Sequence, residues 1–114
     1  MDKLFTPGKI ALYGEWNGIP GPRCVEYYAE RARGGAGMII VEATAVDDEH
    51  NTPWACQLRL TDDCQISAFQ QLAEAIHKYD CRALLQLHHY GAKSDPTPFG
   101  PPWAPSDIPA LPGG

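Results

Sequence analysis

The stretch that most constrains this chain is residues 29–46, AERARGGAGMIIVEATAV, which holds a helix end, a glycine turn and an apolar strand that stops at a small, polar segment. The strand, residues 37–41, is apolar on both faces. It lacks period-2 alternation, which suits a buried parallel strand better than an antiparallel edge. Parallel strands need a crossover, usually a helix, and the chemistry of such folds sits just past the strands' carboxyl ends. A second strand, residues 83–88 (ALLQLH), repeats the arrangement with one amide among apolar neighbours.

The segments around these strands read as helices and loops. A helix begins near Pro22, where a missing N–H costs nothing in the first turn. Val25, Tyr28, Ala29 and Ala32 form its apolar stripe. Arg31 and Arg33 fall in the last turn as a solvated, dipole-complementing end, and Gly34-Gly35 stops the helix. A second helix is capped by Thr61, with Asp62 and Asp63 in its first turn. Its stripe is Ile66, Phe69, Leu72, Ala73 and Ile76, and it ends near Tyr79, with Asp80 in the left-handed position. Before the first helix only residues 10–13 (IALY) have strand character, and residues 47–60 read as irregular. From His89 onward seven prolines exclude any helix or central strand. The fold class is therefore α/β, a βαβ core with an extended Pro-rich C-terminal loop. Two or three parallel strands with two helices amount to less than half of a closed barrel.

Composition narrows the function classes. The net charge is −5 and no basic run is present, which argues against nucleic acid or an anionic membrane as partner. The start, MDKLFTPGKI, has no apolar signal region, and no apolar run approaches a membrane span, so the expected location is cytoplasmic. Cys24, Cys56, Cys64 and Cys81 include no C-x-x-C pair, so they read as reduced thiols and no metal site is expected.

Gln86 is the sharpest chemical candidate. A buried amide without partners costs about 1–3 kcal/mol, and an amide that donates and accepts at once matches the edge of a pyrimidine-like ring. Bonding to neighbouring backbone is its plain alternative. At the end of the other strand, Ala43 and Ala45 leave space for a flat ligand to approach the backbone, and Glu42 reads as a buried acid or, more commonly, half of a salt bridge. Adjacent strand residues point to opposite faces, so His88 and His89 cannot converge on one ion; one lines a pocket and the other packs under a helix. His50 and His77 read as surface residues. GGAG at residues 34–37 precedes a strand, whereas a dinucleotide fingerprint follows one.

These pieces resemble the flavin-dependent Old Yellow Enzyme family, and within it the bacterial NADH:flavin oxidoreductase, 2,4-dienoyl-CoA reductase and 2-enoate reductase group. The resemblance lies in LFTPGKI at residues 4–10, YYAERARGGAGMIIVEATAV at 27–46, LAEAIHKYD at 72–80, LLQLHHYG at 84–91 and APSDIP at 104–109. It implies a (β/α)8 TIM barrel with FMN at the strands' carboxyl ends, of which residues 1–114 form the N-terminal portion. On this reading residues 37–41 are the second barrel strand and residues 83–88 the third. The resemblance also implies that Gln86 bonds the flavin's pyrimidine edge and that Ala43 lies against the flavin. It further implies NAD(P)H as reductant and an enone or enoate substrate with an activated C=C bond. Ala92 stands where the family's H-x-G-R motif has arginine. The first barrel strand has no evident counterpart, and the family's later substrate-binding pair and proton donor have none. The expected activity is thus that of an incomplete ene-reductase, probed against two alternatives: a non-catalytic βαβ piece that self-associates through exposed strand edges, and an intact small α/β binding module.

Overall fold

A computed structural model of the chain describes residues 18–51 and 56–108. The strand expected at residues 10–13 lies outside the described residues.

The first helix, α1, spans Pro22–Arg33. Its proline occupies the first turn, where the lost N–H has no intrahelical partner to forfeit. Cys24, Tyr28 and Ala32 form its buried line, so the stripe includes Cys24 beside the expected Tyr28 and Ala32. Gly34 stays in the right-handed region, and Gly35, with φ 105°, makes the left-handed exit. Arg33 pairs with Glu30 in solvent, as expected of a solvated helix end, while Arg31 stacks over the Tyr27 ring.

The strand β1 runs over Met38–Ala45, longer than the apolar run alone indicates. Two-residue β2, Leu58–Arg59, lies in the stretch expected to be irregular. It pairs parallel to β1 at Thr44 and Ala45, and the Arg59 amide donates on its other side to the Gly18 carbonyl. A Cβ on Gly18 would sit 2.6 Å from the Arg59 side chain, and its φ of 79° also demands glycine.

The cap of the second helix falls one residue later than the sequence suggests. Asp62, not Thr61, accepts the Cys64 amide, and Gln65 reaches back to the Asp62 amide in a capping box. A single 3-10 turn, Asp63–Gln65, then feeds α2, Ile66–His77. Leu72 and Ile76 are its buried residues, and Ile66, expected in the core, is exposed because it stands at the helix's first position. Asp80 turns the chain with φ 56° into β3, Arg82–His88.

The sheet has the order β2-β1-β3, all parallel. Both helices pack on one face, where Tyr28, Ile39, Val41, Leu58, Leu72 and Ile76 make the core and Ala83 and Leu85 complete it. The opposite face carries Met38, Ile40 and Leu84, all exposed. After β3 come one more 3-10 turn, Gly91–Lys93, and an irregular Pro-rich segment with an isolated Thr97–Gly100 bridge.

Candidate functional site at the strand ends

One irregularity in the sheet organises its carboxyl end. Val41 lies beside Leu85, but Thr44 lies beside Leu87, so two residues of β1, Glu42 and Ala43, face the single residue Gln86. This is a β-bulge, which turns the strand and re-aims its side chains. Ile39 and Val41 point into the helix-covered core, and regular alternation would send Glu42 to the bare face. Instead Glu42 is buried on the helix side with Val41. Ala43 takes the bare-face position, half-buried, across from exposed Gln86, whose neighbour on that face is Leu84. The two candidates from the sequence, Ala43 and Gln86, are thereby neighbours on one surface. Ala45, also a candidate for ligand space, is fully buried.

A bulge deprives backbone groups of ladder partners, and side chains supply them here. The Glu42 amide donates to the Tyr28 hydroxyl at 3.0 Å, and that hydroxyl donates to Glu42 Oε1 at 3.1 Å. Thr44 Oγ1 donates to the Glu42 carbonyl at 3.0 Å, and Gln57 Nε2 to the Ala43 carbonyl at 3.3 Å. Glu42 makes no salt bridge among the described residues. It is a buried acid whose Oε2 has no partner there. Burial pushes its pKa up to about 7, against the opposing pull of the Tyr28 hydrogen bond. Burial and the nearby Glu42 push the Cys24 thiol up to about 12 and raise the Tyr28 phenol as well.

A second network ties the loops beyond the strands together. His89 Nδ1 accepts the Gly91 amide at 2.8 Å, which leaves the proton on Nε2, 3.1 Å from Asp47 Oδ2. Asp47 also accepts the amides of Glu49 and His50. Slight burial raises its pKa, but those amides and the His89 ring together hold the carboxyl below the usual range. Buried Asn51 donates to the Asp47 carbonyl and accepts the Tyr90 amide, and the Tyr90 hydroxyl donates to Gln57 Oε1. Of the two histidines, one of which was expected to pack under a helix, His89 has its ring claimed by Asp47. His88 sets its ring edge-to-face with Tyr90. His50 is not a plain surface residue either. It stacks on Trp103 at 4.2 Å, and Thr97 Oγ1 donates to the Glu49 carbonyl, so the Pro-rich segment is laid over this loop.

Sequence reasoning missed Tyr28, Asp47, Asn51, Gln57 and Tyr90 as parts of this end. A lone acid in an apolar strand was the one available signal, since it demands a buried partner. The loop residues announce themselves only through folding.

A parallel sheet with helices on one face, polar residues gathered at the carboxyl ends and a half-bare inner face defines the opening βα units of a (β/α)8 barrel. Solved structures agree. An Old Yellow Enzyme from a Pichia species superposes with a TM-score of 0.67 at 24% identity, covering 75% of this chain and 22% of that one. Morphinone reductase, solved with tetrahydroNAD, gives 0.60 at 30% identity, covering 69% and 21%. The sequence profile of the NADH:flavin oxidoreductase / NADH oxidase family matches residues 12–112, and the chain belongs to that family. The NADH oxidase of Thermoanaerobacter brockii is 43% identical over 95% of this chain and 17% of its own length. The NADH:fumarate oxidoreductase of Klebsiella pneumoniae is 36% identical over 96% of this chain and 12% of its own. The chain thus spans a small part of the length of the relatives it matches. Among the described residues no helix is long and apolar enough to cross a membrane.

Proposed function

We propose that residues 1–114 are the N-terminal portion of an FMN-binding barrel domain and contribute Ala43 and Gln86 to its flavin site. The observation that carries this reading is the bulge, which sets a side chain no larger than methyl directly across from an exposed amide at the ligand-binding end of the sheet. The pair suits a flavin. Gln86 can donate to and accept from the pyrimidine edge, and Ala43 leaves the plane above the backbone clear. FMN, when bound, supplies the hydride chemistry by which the whole enzyme passes reducing equivalents from NAD(P)H to an activated C=C bond. The chain's own part is to bind and orient. The Gln86 amide fixes the ring's edge, and the network of Asp47, His89, Asn51 and Tyr90 ties together the segments that follow β1 and β3.

Titration of FMN into the chain, followed by flavin fluorescence, tests the assignment. Saturable but weak binding is expected, because the described residues supply one side of a cofactor cradle. Replacing Gln86 by Leu should weaken it about tenfold, the value of one well-made hydrogen bond pair. Unchanged affinity in the Gln86→Leu variant would remove Gln86 from the site. Purification with stoichiometric flavin would refute the view that the cradle is partial. Reduction of an activated alkene by the polypeptide joined to the remaining strands checks the reaction.

A second reading rests on a separate observation. Met38, Ile40, Leu84 and Leu87 are each about half exposed or more, and β3 has no strand on its outer edge among the described residues. Such apolar surface and open edges favour association. Light scattering during size-exclusion chromatography distinguishes a self-associating βαβ unit from a monomer.

A further inference from the structure

We propose that Tyr28 and Glu42 form a positioning clasp that holds the β1 bulge and so decides which residue of β1 stands opposite Gln86. The proposal rests on the flavin reading only for what the site binds. The geometry itself belongs to the chain. Without the bulge, β1 would pair regularly, and the residue after Val41 on the bare face would be Glu42, placing a carboxylate beside Gln86. With the bulge, that carboxyl is turned under α1 and Ala43 takes the place.

Three features make the clasp more than ordinary packing. The Tyr28 hydroxyl meets the same residue twice, once through the Glu42 backbone amide inside the bulge and once through the side chain. It therefore satisfies the irregular backbone and anchors the redirected side chain with one group. The Glu42 carbonyl is taken by Thr44 Oγ1 of the same strand, so both backbone groups of Glu42 have side-chain partners. Glu42 is also 93% removed from solvent with an unpartnered Oε2, an arrangement that tolerates a neutral acid and resists a charged one. The titratable groups that bear on it, Cys24 and Tyr28, both come from α1, and both keep their protons far above neutral pH. Ionisation of Glu42 strengthens the bond from Tyr28 but leaves a buried charge with an unpartnered oxygen, and that cost would open the bulge toward the arrangement with a carboxylate next to Gln86.

The test compares the full chain with Tyr28→Phe and Glu42→Gln. Gln keeps the acceptor and cannot ionise, so it is the conservative rescue, while Phe removes the hydroxyl and little else. Backbone amide exchange and the side-chain amide resonance of Gln86, both read by NMR without ligand, report the bulge; FMN titration reports the site. Tyr28→Phe should speed exchange at Glu42 by about tenfold, the value of one buried hydrogen bond, shift the Gln86 side-chain resonance and leave the β3 amides at Ala83 and Leu85 protected. In the parent chain the Gln86 resonance should move as pH rises through about 7. In Glu42→Gln it should stay fixed, and the FMN affinity should lose the part of its pH dependence centred near 7. Unchanged exchange at Glu42 in Tyr28→Phe, or a Gln86 resonance that titrates equally in Glu42→Gln, overturns the clasp. Absence of FMN binding by the parent chain, with the NMR results as expected, removes the flavin reading and leaves the clasp standing.

Discussion

Ile39 and Ile40 are adjacent and chemically identical, yet Ile39 is 8% exposed and Ile40 57%. Ile39 enters the core under α1 and α2, while Ile40 lies on the face that no described element covers. The same division separates Leu85, packed against the core, from Leu84, which is 48% exposed. The sequence treats the two faces alike, as expected for strands whose partners lie on both sides. The difference shows that one layer of contacts is internal to this βα unit and the other is an apolar surface of the kind that marks a contact region.

The largest effects should fall on the covered face. Ile76→Ala removes a fully buried side chain between α2 and the sheet and should cost about 2–5 kcal/mol. Leu84→Ala should cost less than about 1 kcal/mol, because its side chain already meets water. Urea denaturation of both variants measures the contrast. Equal losses would break it, and would mean that the bare face is covered in solution by a second copy.

The next effect is the pH dependence set by Glu42. The unfolded chain ionises this group near its ordinary 4.5, whereas the folded chain holds the proton until about 7. The contribution of Glu42 to stability is therefore fully present below pH 4.5, falls as the pH climbs from there to about 7, and is level above. The span corresponds to about 3 kcal/mol as an upper figure. Subtracting the pH profile of Glu42→Gln from that of the parent isolates the contribution. Coincident profiles would show that the carboxyl reaches solvent and that the helix-covered face is open at its upper end.

How much of this was legible in the sequence follows from the kind of signal each feature leaves. Both helices, the two longer strands, their parallel pairing and the Asp80 turn were readable from periodicity and punctuation, because each rests on a local rule. The apolar run at residues 37–41 signalled a strand, but its continuation through Glu42–Ala45 was hidden by the polar Glu42 and Thr44, which find partners only in the tertiary structure. Asp62 displaced Thr61 as the cap because Gln65 completes a reciprocal box with it. The two-residue β2 is too short to leave a pattern at all. Ala43 and Gln86 were named from composition at the strand ends and from family likeness, but their placement opposite one another depends on a one-residue bulge. Nothing in residue spacing announces that bulge apart from an acid where an apolar residue belongs.

The smallest effect separates the helix-covered face from the turns that deliver it. Asp80 holds φ 56°, a left-handed conformation that strains any residue with a Cβ, though Asp less than most. Asp80→Gly removes that strain and adds disorder to the unfolded chain, two changes of opposite sign, with a net gain of about 0.5–1 kcal/mol. The matching turn after α1 tests the same physics in reverse. Gly35 has φ 105°, and a Cβ there would meet nothing within 4 Å. Gly35→Ala should therefore lose about 1–2 kcal/mol from backbone strain alone. Thermal unfolding reads both shifts. Since both turns lie at the amino ends of the strands, neither variant should alter the Gln86 side-chain resonance. A change there would mean that the bulge is set by how the helices are delivered to the sheet rather than by the hydrogen bonds of Tyr28.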